Sequence, residues 1–396
     1  MAYRGVSERK IVFTGGDLIN YNLQPSQFLS GFLMELLERE DSARSVVYTF
    51  PHLNIQEFVA AVAQFLMPDG RDIMKLLTEA HCVKDGRFEV FLRFVAGLSS
   101  PMTTRGLEEF LGPFPHQTTC QVIDWVKEEV KRRSGNTESE AGKRSLLNTL
   151  HYLFESQNSG LAQAALGSAE TLSFSGMTLT PIDCAVLSHV IGLCDTIKHL
   201  DLENCHIQCE GIQRLGPGLH KCQELRLGQN ELGDTGVKLV SAALRNPECK
   251  IQTLWLNRVG LTDSGAEDLV SALSTNPSLT ELYLSNNKLG DSGVKLVSEA
   301  LRIPECKIQK LGLNNVGLTD SGAEDLASAL STNPSLTWLG LGENSLIDLS
   351  VPGLRRLILT LPSLEWIWLW GNRFSETGRK ELESLEEIRP GLRVIL

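Results

Sequence analysis

The second half of the chain repeats one hydrophobic pattern, L-x-x-L-x-L-x-x-(N/C/V)-x-L, seven times. The central positions of the copies are Leu200, Leu225, Leu254, Leu282, Leu311, Leu339 and Ile367. Within one copy, Leu225 and Leu227 alternate with the polar residues Glu224 and Arg226, and this period of two indicates a strand with one buried face. Apolar residues at helical spacing follow. The pattern therefore predicts stacked strand–turn–helix units, each of which needs its neighbours to cover its apolar side.

Neighbouring copies alternate in sequence, because residues 225–281 and 282–338 are near duplicates of each other. This pairing, together with a period of 28 or 29 residues, resembles the ribonuclease-inhibitor class of leucine-rich repeats. The resemblance implies an α/β solenoid with parallel strands on the concave face and helices on the convex face. Val259 and Val316 replace the usual Cys or Asn, and we expect looser turns there. A weaker copy at Ala169–Leu179 opens the array, and residues 392–396 add a last half-unit.

The first 165 residues lack this repeat, and their apolar spacing is mainly helical. We predict helices at residues 17–40, 55–67, 72–80, 88–98, 107–111, 120–132, 146–154 and 161–166. Val46–Phe50 reads as a short strand. The polar segment Ser134–Lys143 predicts a mobile loop. A mainly helical domain therefore precedes the solenoid.

Two stretches of this N-terminal part carry a family resemblance. Arg9–Leu23 (RKIVFTGGDLINYNL) resembles the end of the winged-helix domain of NOD-like receptors. Tyr48–Ala61 (YTFPHLNIQEFVAA) resembles a signature of the NLRP and fish NLRC-like branches. A segment that includes Phe91–Leu98 is similar to their second helical domain. The implied domains are 1–67, the end of the winged helix; 68–165, the second helical domain; and 166–396, a solenoid of about eight leucine-rich repeats.

The resemblance implies a cytosolic innate-immune sensor whose NACHT core holds ADP at rest and exchanges it for ATP on activation, often to assemble an inflammasome. It also implies that the repeats help to keep the receptor closed, and that His52 of the F-x-H-L motif contacts the ADP phosphate. Taken alone, His52 is more simply interpreted as an ordinary histidine at a helix entry.

The chain contains no G-x-x-x-x-G-K-[ST] phosphate loop, so we expect no ATPase activity and no cofactor in this chain itself. We expect it to begin inside the winged helix, as a fragment, a partial gene model or a truncated paralogue.

The composition of the chain argues against several kinds of binding partner and cellular location. The net charge of −11 argues against nucleic acid, because little in the chain would neutralise phosphates. No apolar run reaches the length that spans a bilayer, and residues 1–10 carry no secretory signal. The nine cysteines indicate buried free thiols in a reducing cytoplasm. Cys205, Cys209, His199 and His206 match no usual zinc-finger spacing, so we expect no metal site.

The outward positions of the repeat strands carry most of the aromatic residues of the array. The candidate partner-binding residues are Trp255, Tyr283, Trp338, Trp366, Trp368 and Trp370. Exposed aromatics are common anchors of protein interfaces, and Gly312, Gly340 and Gly342 leave room beside them for a partner. The alternative is that these rings pack on each other or under the C-terminal segment 375–396.

Two functions remain open at this point. The first is the non-catalytic regulatory and ligand-sensing portion of a cytosolic NOD-like receptor, in which the repeats mediate autoinhibition and bind proteins, including the receptor's own NACHT core. The second is a stand-alone binding or inhibitor protein of the ribonuclease-inhibitor type, which the winged-helix-like segment argues against. An ATPase is excluded for this chain by the missing phosphate loop.

Overall fold

A computed structural model describes residues 1–23, 34–40, 43–66, 72–166, 171–276, 278–303, 306–331 and 333–396. Their backbone contacts form two compact units. The first unit contains residues 1–133 and 144–165, and the second contains residues 134–143 and 166–396.

The first unit is mainly helical. Its elements and the links to the second unit are α1 (Ala2–Glu8), β1 (Val12–Thr14), α2 (Gly15–Asn20), β2 (Met34–Glu40), β3 (Ala43–Thr49), α3 (Leu53–Leu66), α4 (Ile73–His81), α5 (Glu89–Leu98), α6 (Pro101–Leu111), α7 (His116–Ser134), α8 (Glu140–Ser156) and α9 (Ser159–Leu166). The apolar stripes of these helices supply fully buried side chains, among them Phe65, Leu77, Phe91 and Leu150. The helices predicted beyond residue 53 are confirmed where the structure describes them, while Met67 lies outside the described residues.

The predicted helix at residues 17–40 is wrong. Only α2 is helical, and it begins with a capping box between Thr14 and Asp17. Met34–Glu40 forms β2, which pairs antiparallel with β3 from Met34 opposite Thr49 to Glu40 opposite Ala43. The sequence of β2, MELLERE, is rich in good helix formers, so pairing along a whole partner strand overrides local propensity here. Residues 24–33 of that prediction lie outside the described residues.

The predicted loop at residues 134–143 is shorter than expected. Only residues 135–139 lie between α7 and α8, because α8 begins at Glu140.

The second unit is the solenoid. Its elements are β4 (Thr171–Ser173), α10 (Pro181–Gly192), β5 (Ile197–Asp201), α11 (Cys209–Leu219), β6 (Cys222–Arg226), α12 (Gly233–Leu244), β7 (Thr253–Trp255), α13 (Asp263–Leu273), β8 (Glu281–Tyr283), α14 (Gly290–Ala300), β9 (Lys310–Gly312), α15 (Asp320–Leu330), β10 (Trp338–Gly340), a 3-10 turn (Asp348–Ser350), α16 (Val351–Thr360), β11 (Trp366–Trp368), α17 (Glu376–Ile388) and β12 (Arg393–Ile395). The strands form one sheet in the order β12 to β4, and each adjacent pair is parallel. Strand β4 confirms the weak opening copy from Thr171 onwards, while Ala169 lies outside the described residues. Strand β12 confirms that residues 392–396 extend the array.

The repeated leucines stack directly on one another through the core. Leu225 lies opposite Leu200 on one side and Leu254 on the other, and Leu282, Leu311, Leu339 and Ile367 continue the row. All of them are fully buried. The core of the solenoid is therefore shared between neighbouring units.

The expected loosening of the turns at the valine positions is wrong. The side-chain oxygen of Asn287 accepts hydrogen bonds from the backbone N–H groups of Val259 and Leu261, at 3.1 and 3.0 Å. The same asparagine donates to the carbonyl oxygens of Leu256 and Leu284, at 2.7 and 2.8 Å. The turn at each valine is thus held by the asparagine of the following unit, and Asn344 does the same at Val316.

A second side-chain contact joins the paired units to one another. The Asp234 carboxylate accepts from the backbone N–H and the hydroxyl of Thr262, at 2.8 and 2.7 Å, and Asp291 makes the same contacts with Thr319. These threonines lie at the starts of α13 and α15. From β6 to β9, aspartate and asparagine links therefore alternate between neighbouring units, whereas the step from β9 to β10 carries both kinds, from Asn344 and Asp320. Among the described helices, none has the length and apolar character needed to cross a membrane.

Candidate functional site

The six predicted partner-binding residues all lie on the concave side of the sheet, outside the leucine core. Trp255, Tyr283 and Trp338 flank buried leucines on their short strands and are half-buried. Trp366, Trp368 and Trp370 are more accessible, with exposed fractions of 42%, 36% and 38%. The two-residue period of a strand puts these three side chains on one face, with Ile367 and Leu369 buried between them.

Four of these rings form a continuous aromatic row across five strands, from β7 to β11. The ring centroids of Trp255 and Tyr283 lie 3.8 Å apart with an angle of 15° between planes, which is a stacked arrangement. Tyr283 lies 5.8 Å from Trp338, and Trp338 lies 5.1 Å from Trp368 in an edge-to-face contact. Spacings of this size are favourable for aromatic pairs. We call the chain of rings from Trp255 to Trp368 the aromatic row.

The glycines beside the row do not leave open space, and the expectation of free room there is wrong. A Cβ atom on Gly312 would lie 2.9 Å from Cδ1 of Tyr283, and one on Gly340 would lie 2.7 Å from the Trp338 ring. A Cβ atom on Gly342 would lie 2.8 Å from the indole nitrogen of Trp370. The rings of this chain occupy the room that the glycines provide. The glycines at these positions therefore provide the space in which the rings of Tyr283, Trp338 and Trp370 lie.

The N-terminal end of the row is closed by charged side chains of the chain itself. The Arg226 guanidinium lies 5.1 Å from the Trp255 ring centroid, on the side opposite Tyr283 in the strand register, at a distance suited to a cation–π contact. Glu224 holds Arg226 at 2.7 Å and also contacts His199 at 2.7 Å. Burial raises the pKa of Glu224, but hydrogen bonds from Arg226 and His199 outweigh it and leave that pKa below its ordinary value.

Next to this closed end, the hydroxyl group of Tyr283 donates a hydrogen bond to Glu281 at 3.0 Å, which restrains the side chain. Burial, followed by the nearby Glu281 carboxylate, raises the pKa of Tyr283 well above its ordinary value. Glu281 also pairs with Lys310 at 2.9 Å. The middle of the concave face is thus neutralised by its own ion pairs.

The C-terminal end of the row, at Trp368, is accessible to solvent, and so are Trp366 and Trp370 on either side of it in the chain. Trp366, Trp368 and Trp370 present accessible indole surface side by side, and Ile395 of β12 lies beside Trp368 in the strand register. This end is the part of the concave face that combines a large aromatic surface with access from solvent.

Sequence reasoning missed Arg226 as a member of the site. The sequence pattern contains the signal that would have found it. Arg226 occupies the outward-facing strand position that is equivalent to Trp255, one repeat earlier. A cation and an aromatic side chain on neighbouring strands of a parallel sheet lie close enough to stack.

His52 lies in the first unit, at the start of α3 and exposed to solvent. Its carbonyl accepts from the backbone N–H groups of Ile55 and Gln56, and its Nδ1 accepts from the N–H of Asn54 at 3.1 Å. The side chain therefore caps the beginning of the helix. One imidazole does not form a phosphate cradle, and the sequence supplies no phosphate loop, so the residues of this chain do not by themselves fit a nucleotide.

Family models match the chain in three consecutive parts. A model described as the NOD2 winged helix domain matches residues 1–50, and one described as the NLRC4 helical domain HD2 matches residues 52–164. A leucine-rich repeat model matches residues 194–216, 223–241 and 275–298.

Curated relatives match this chain over most of its length. NACHT, LRR and PYD domains-containing protein 3 of Rattus norvegicus is 30% identical over 398 residues, which cover 86% of this chain and 38% of the relative. The human protein of that name is 29% identical with the same coverage. Human NACHT, LRR and PYD domains-containing protein 12 is 29% identical, over 86% of this chain and 35% of its own length. The chain thus spans little more than a third of the length of these relatives.

Two solved structures match part of the chain at low sequence identity. The TLR13–ssRNA13 complex matches 61% of this chain and 33% of its own, with 17% identity and a TM-score of 0.36. An internalin from Listeria monocytogenes matches 68% of this chain and 94% of its own, with 13% identity and a TM-score of 0.34. The winged helix, the second helical domain and the repeats, in this order and with these relatives, show that the chain belongs to the NOD-like receptor family and corresponds to the C-terminal portion of such a receptor.

Proposed function

We propose that the chain is a non-catalytic regulatory and partner-binding portion of a cytosolic innate-immune receptor, and that the concave face of its repeats binds a protein. The observation that carries this proposal is the open end of the aromatic row. Three neighbouring tryptophans are each more than a third exposed, whereas Trp255, Tyr283 and Trp338 on the earlier strands are half-buried. Tryptophan surface that remains accessible in a concave face suits the anchor of a protein interface.

In a longer receptor, the same repeats would serve autoinhibition by holding the NACHT core in a closed state. That core, not this chain, would bind ADP or ATP, and His52 would contribute a phosphate contact from the start of α3. Activation would release the repeats and lead towards inflammasome assembly. These roles rest on the family to which the chain belongs.

A stand-alone inhibitor of the ribonuclease-inhibitor type would use the same concave face. The matches to a winged helix and to a second helical domain over residues 1–164 favour the receptor, because an inhibitor built only from repeats needs neither domain.

The test is a pull-down from cytosol with the whole chain as bait. We expect the Trp366→Ala/Trp368→Ala variant to recover its specific partners at least about tenfold less well, since anchor residues of an interface contribute 2 kcal/mol or more. The matched control is Ile182→Ala/Leu349→Ala, which removes two exposed apolar side chains, from α10 and from the turn before α16. Equal recovery by the tryptophan variant and the control would refute the concave-face proposal, provided that both variants unfold at the temperature of the original chain.

A further inference from the structure

Helix α6 of the first unit carries the two most exposed large apolar side chains that the structure describes. Phe110 is 87% exposed and Met102 is 85% exposed. The helix is short and well bounded, with Pro101 in its first turn and Gly112 at its end. Single apolar residues are common on protein surfaces, whereas two large ones along one helix indicate a surface that binds another molecule.

The opposite side of α6 is held by the rest of the first unit. Thr104 is buried on this side, and the Glu108 carboxylate accepts a hydrogen bond from the backbone N–H of Phe114 at 3.1 Å. The ring of Phe114 is stacked on Phe65 of α3, with 5.2 Å between their centroids. These contacts fix which side of α6 faces the solvent.

Met102, Gly106 and Phe110 recur every four residues and so lie along one face of the helix. A Cβ atom on Gly106 would have no heavy atom of another part of the chain within 4 Å, so the middle of this face is open. Arg105 and Glu109 follow the same spacing along one border of the face, and both are exposed. We call these five residues the α6 face.

The two charged residues of the α6 face are not paired with each other. Neither Arg105 nor Glu109 is in an ion pair or a side-chain hydrogen bond among the residues that the structure describes. A basic residue four positions before an acidic one is the less favourable order for a pair within one helix. One positive and one negative charge are therefore both available to a partner.

We propose that the α6 face binds the same face of a second copy of the chain, with the two helices antiparallel about a two-fold axis at Gly106. This axis places Met102 of each copy on Phe110 of the other, which is a favourable contact between a sulfur atom and an aromatic ring. The same borders of two antiparallel helices meet, so Arg105 lies within one helical turn of Glu109 of the second copy. The symmetry forms this ion pair twice, and the glycine lets the backbones approach closely.

The charges select the antiparallel arrangement. A parallel pair would set Arg105 against Arg105 and Glu109 against Glu109, which repel each other. One face of an 11-residue helix buries less than the roughly 1,200 Å² of a stable interface, so the dimer is weak and reversible. This inference goes beyond the proposed function and does not depend on it, because the aromatic row belongs to the other unit.

The dimer is tested by sedimentation equilibrium of the whole chain over a range of concentrations, where we expect a reversible monomer–dimer equilibrium. Phe110→Ala should raise the dissociation constant of the dimer at least about tenfold. The control Ile19→Ala removes an apolar side chain of α2 that is 75% exposed, and it should leave the constant unchanged. Trp366→Ala/Trp368→Ala should leave it unchanged as well.

Charge reversal tests the ion pairs. Arg105→Glu and Glu109→Arg should each weaken the dimer several-fold, because each brings like charges together across the axis. The combined variant Arg105→Glu/Glu109→Arg restores opposite signs and should dimerise more tightly than either single variant. Non-specific apolar association would not show this recovery, since all three variants keep Met102 and Phe110.

A cysteine at the two-fold axis tests the arrangement of the helices. Gly106→Cys should form a disulfide-linked dimer under mild oxidation, because the axis brings the two Cα atoms to roughly 4.4–6.8 Å, the reach of a disulfide. The matched control is Gly135→Cys, at an exposed glycine whose Cβ atom would also have no heavy atom within 4 Å, and it should cross-link more slowly. Both are compared with the original chain, in which Cys82 is exposed.

The outcomes decide each part of the inference. A chain that is monomeric at every concentration, or a dimer that Phe110→Ala leaves intact, overturns it. Loss of the dimer in Trp366→Ala/Trp368→Ala also overturns it and assigns the self-association to the concave face. Cross-linking at Gly106 no faster than at Gly135, or no recovery in the combined charge reversal, overturns the antiparallel arrangement.

Discussion

The sharpest stability prediction concerns Asn287, the side chain that ties the turn at Val259 to the next repeat. We expect Asn287→Ala to destabilise the solenoid locally, between the strands β7 and β8. The asparagine is almost fully buried, and its amide makes four hydrogen bonds of 2.7 to 3.1 Å to backbone groups of the two units. Alanine can replace none of them.

The magnitude follows from the groups left without a partner. The substitution removes the acceptor for two backbone N–H groups and the donor for two carbonyl groups. A buried polar group that loses its hydrogen bond costs about 1 to 3 kcal/mol. At the lower end of that range, four groups without a partner destabilise the fold by about 4 kcal/mol. The lower end applies because water enters the space that the shortened side chain leaves.

The assay is hydrogen–deuterium exchange of the native chain, because the loss is local and a chain with two units does not unfold in one step. About 4 kcal/mol corresponds to exchange that is roughly a thousandfold faster at the amides of Val259 and Leu261. Strands several repeats away should keep their protection, since each repeat contacts only its neighbours.

The control is Asn136→Ala, at an exposed position in the short loop between α7 and α8, which should leave exchange in the solenoid unchanged. Unaltered protection of Val259 and Leu261 in Asn287→Ala would show that the asparagine contacts do not hold the repeats together.

Three further predictions test the packing and the charges of individual side chains. Gly312→Ala should displace the ring of Tyr283, because the added Cβ atom would lie 2.9 Å from it. We expect a changed near-ultraviolet circular dichroism spectrum, and an identical spectrum would contradict the packing described for the aromatic row. Glu57 is buried, its Oε2 has no hydrogen bond from any described residue, and burial raises its pKa above the ordinary value of 4.5. The folded state therefore binds the proton of the Glu57 carboxyl group more tightly than the unfolded state does. The favourable contribution is complete below pH 4.5 and is lost as pH rises through the folded pKa. Glu57→Gln should raise the urea midpoint of the first unit at pH 7 and flatten its pH dependence, and an unchanged pH dependence would count against this reasoning. The hydrogen bond from Lys10 is the main cause of the Asp17 pKa of about 2; Lys10→Met should move that pKa upward in an NMR titration, and a pKa that stays near 2 would assign the shift to the Thr14 contacts instead.

The alternating leucines were sufficient to predict the solenoid. Each strand is short, and its environment is set by a neighbouring unit of nearly the same sequence, so local pattern and tertiary packing agree. The same logic correctly placed Trp366, Trp368 and Trp370 on one face. In the first unit, local pattern failed at Met34–Glu40, where pairing with a distant strand decided the structure and the composition of the segment favoured a helix.

Contacts between repeats were outside the reach of the local pattern. The repeat that contains Val259 has no side chain of its own to bond this turn, because the partner, Asn287, comes one repeat later. Likewise, Arg226 joined the site only when the strand register brought it against Trp255.

The sequence by itself determined the repeat architecture, the receptor family that its motifs resemble and the face on which the aromatic residues lie. Only the tertiary structure decided which of these aromatics remain accessible. Tyr283 and Trp338 lie over the glycines of β9 and β10, whereas Trp366 and Trp368 at β11 stay open to solvent. The physical reason is that the accessibility of each ring depends on the size of the side chains around it, such as Gly340 on the strand of Trp338 itself and Gly312 on the strand next to Tyr283, about one repeat away in sequence.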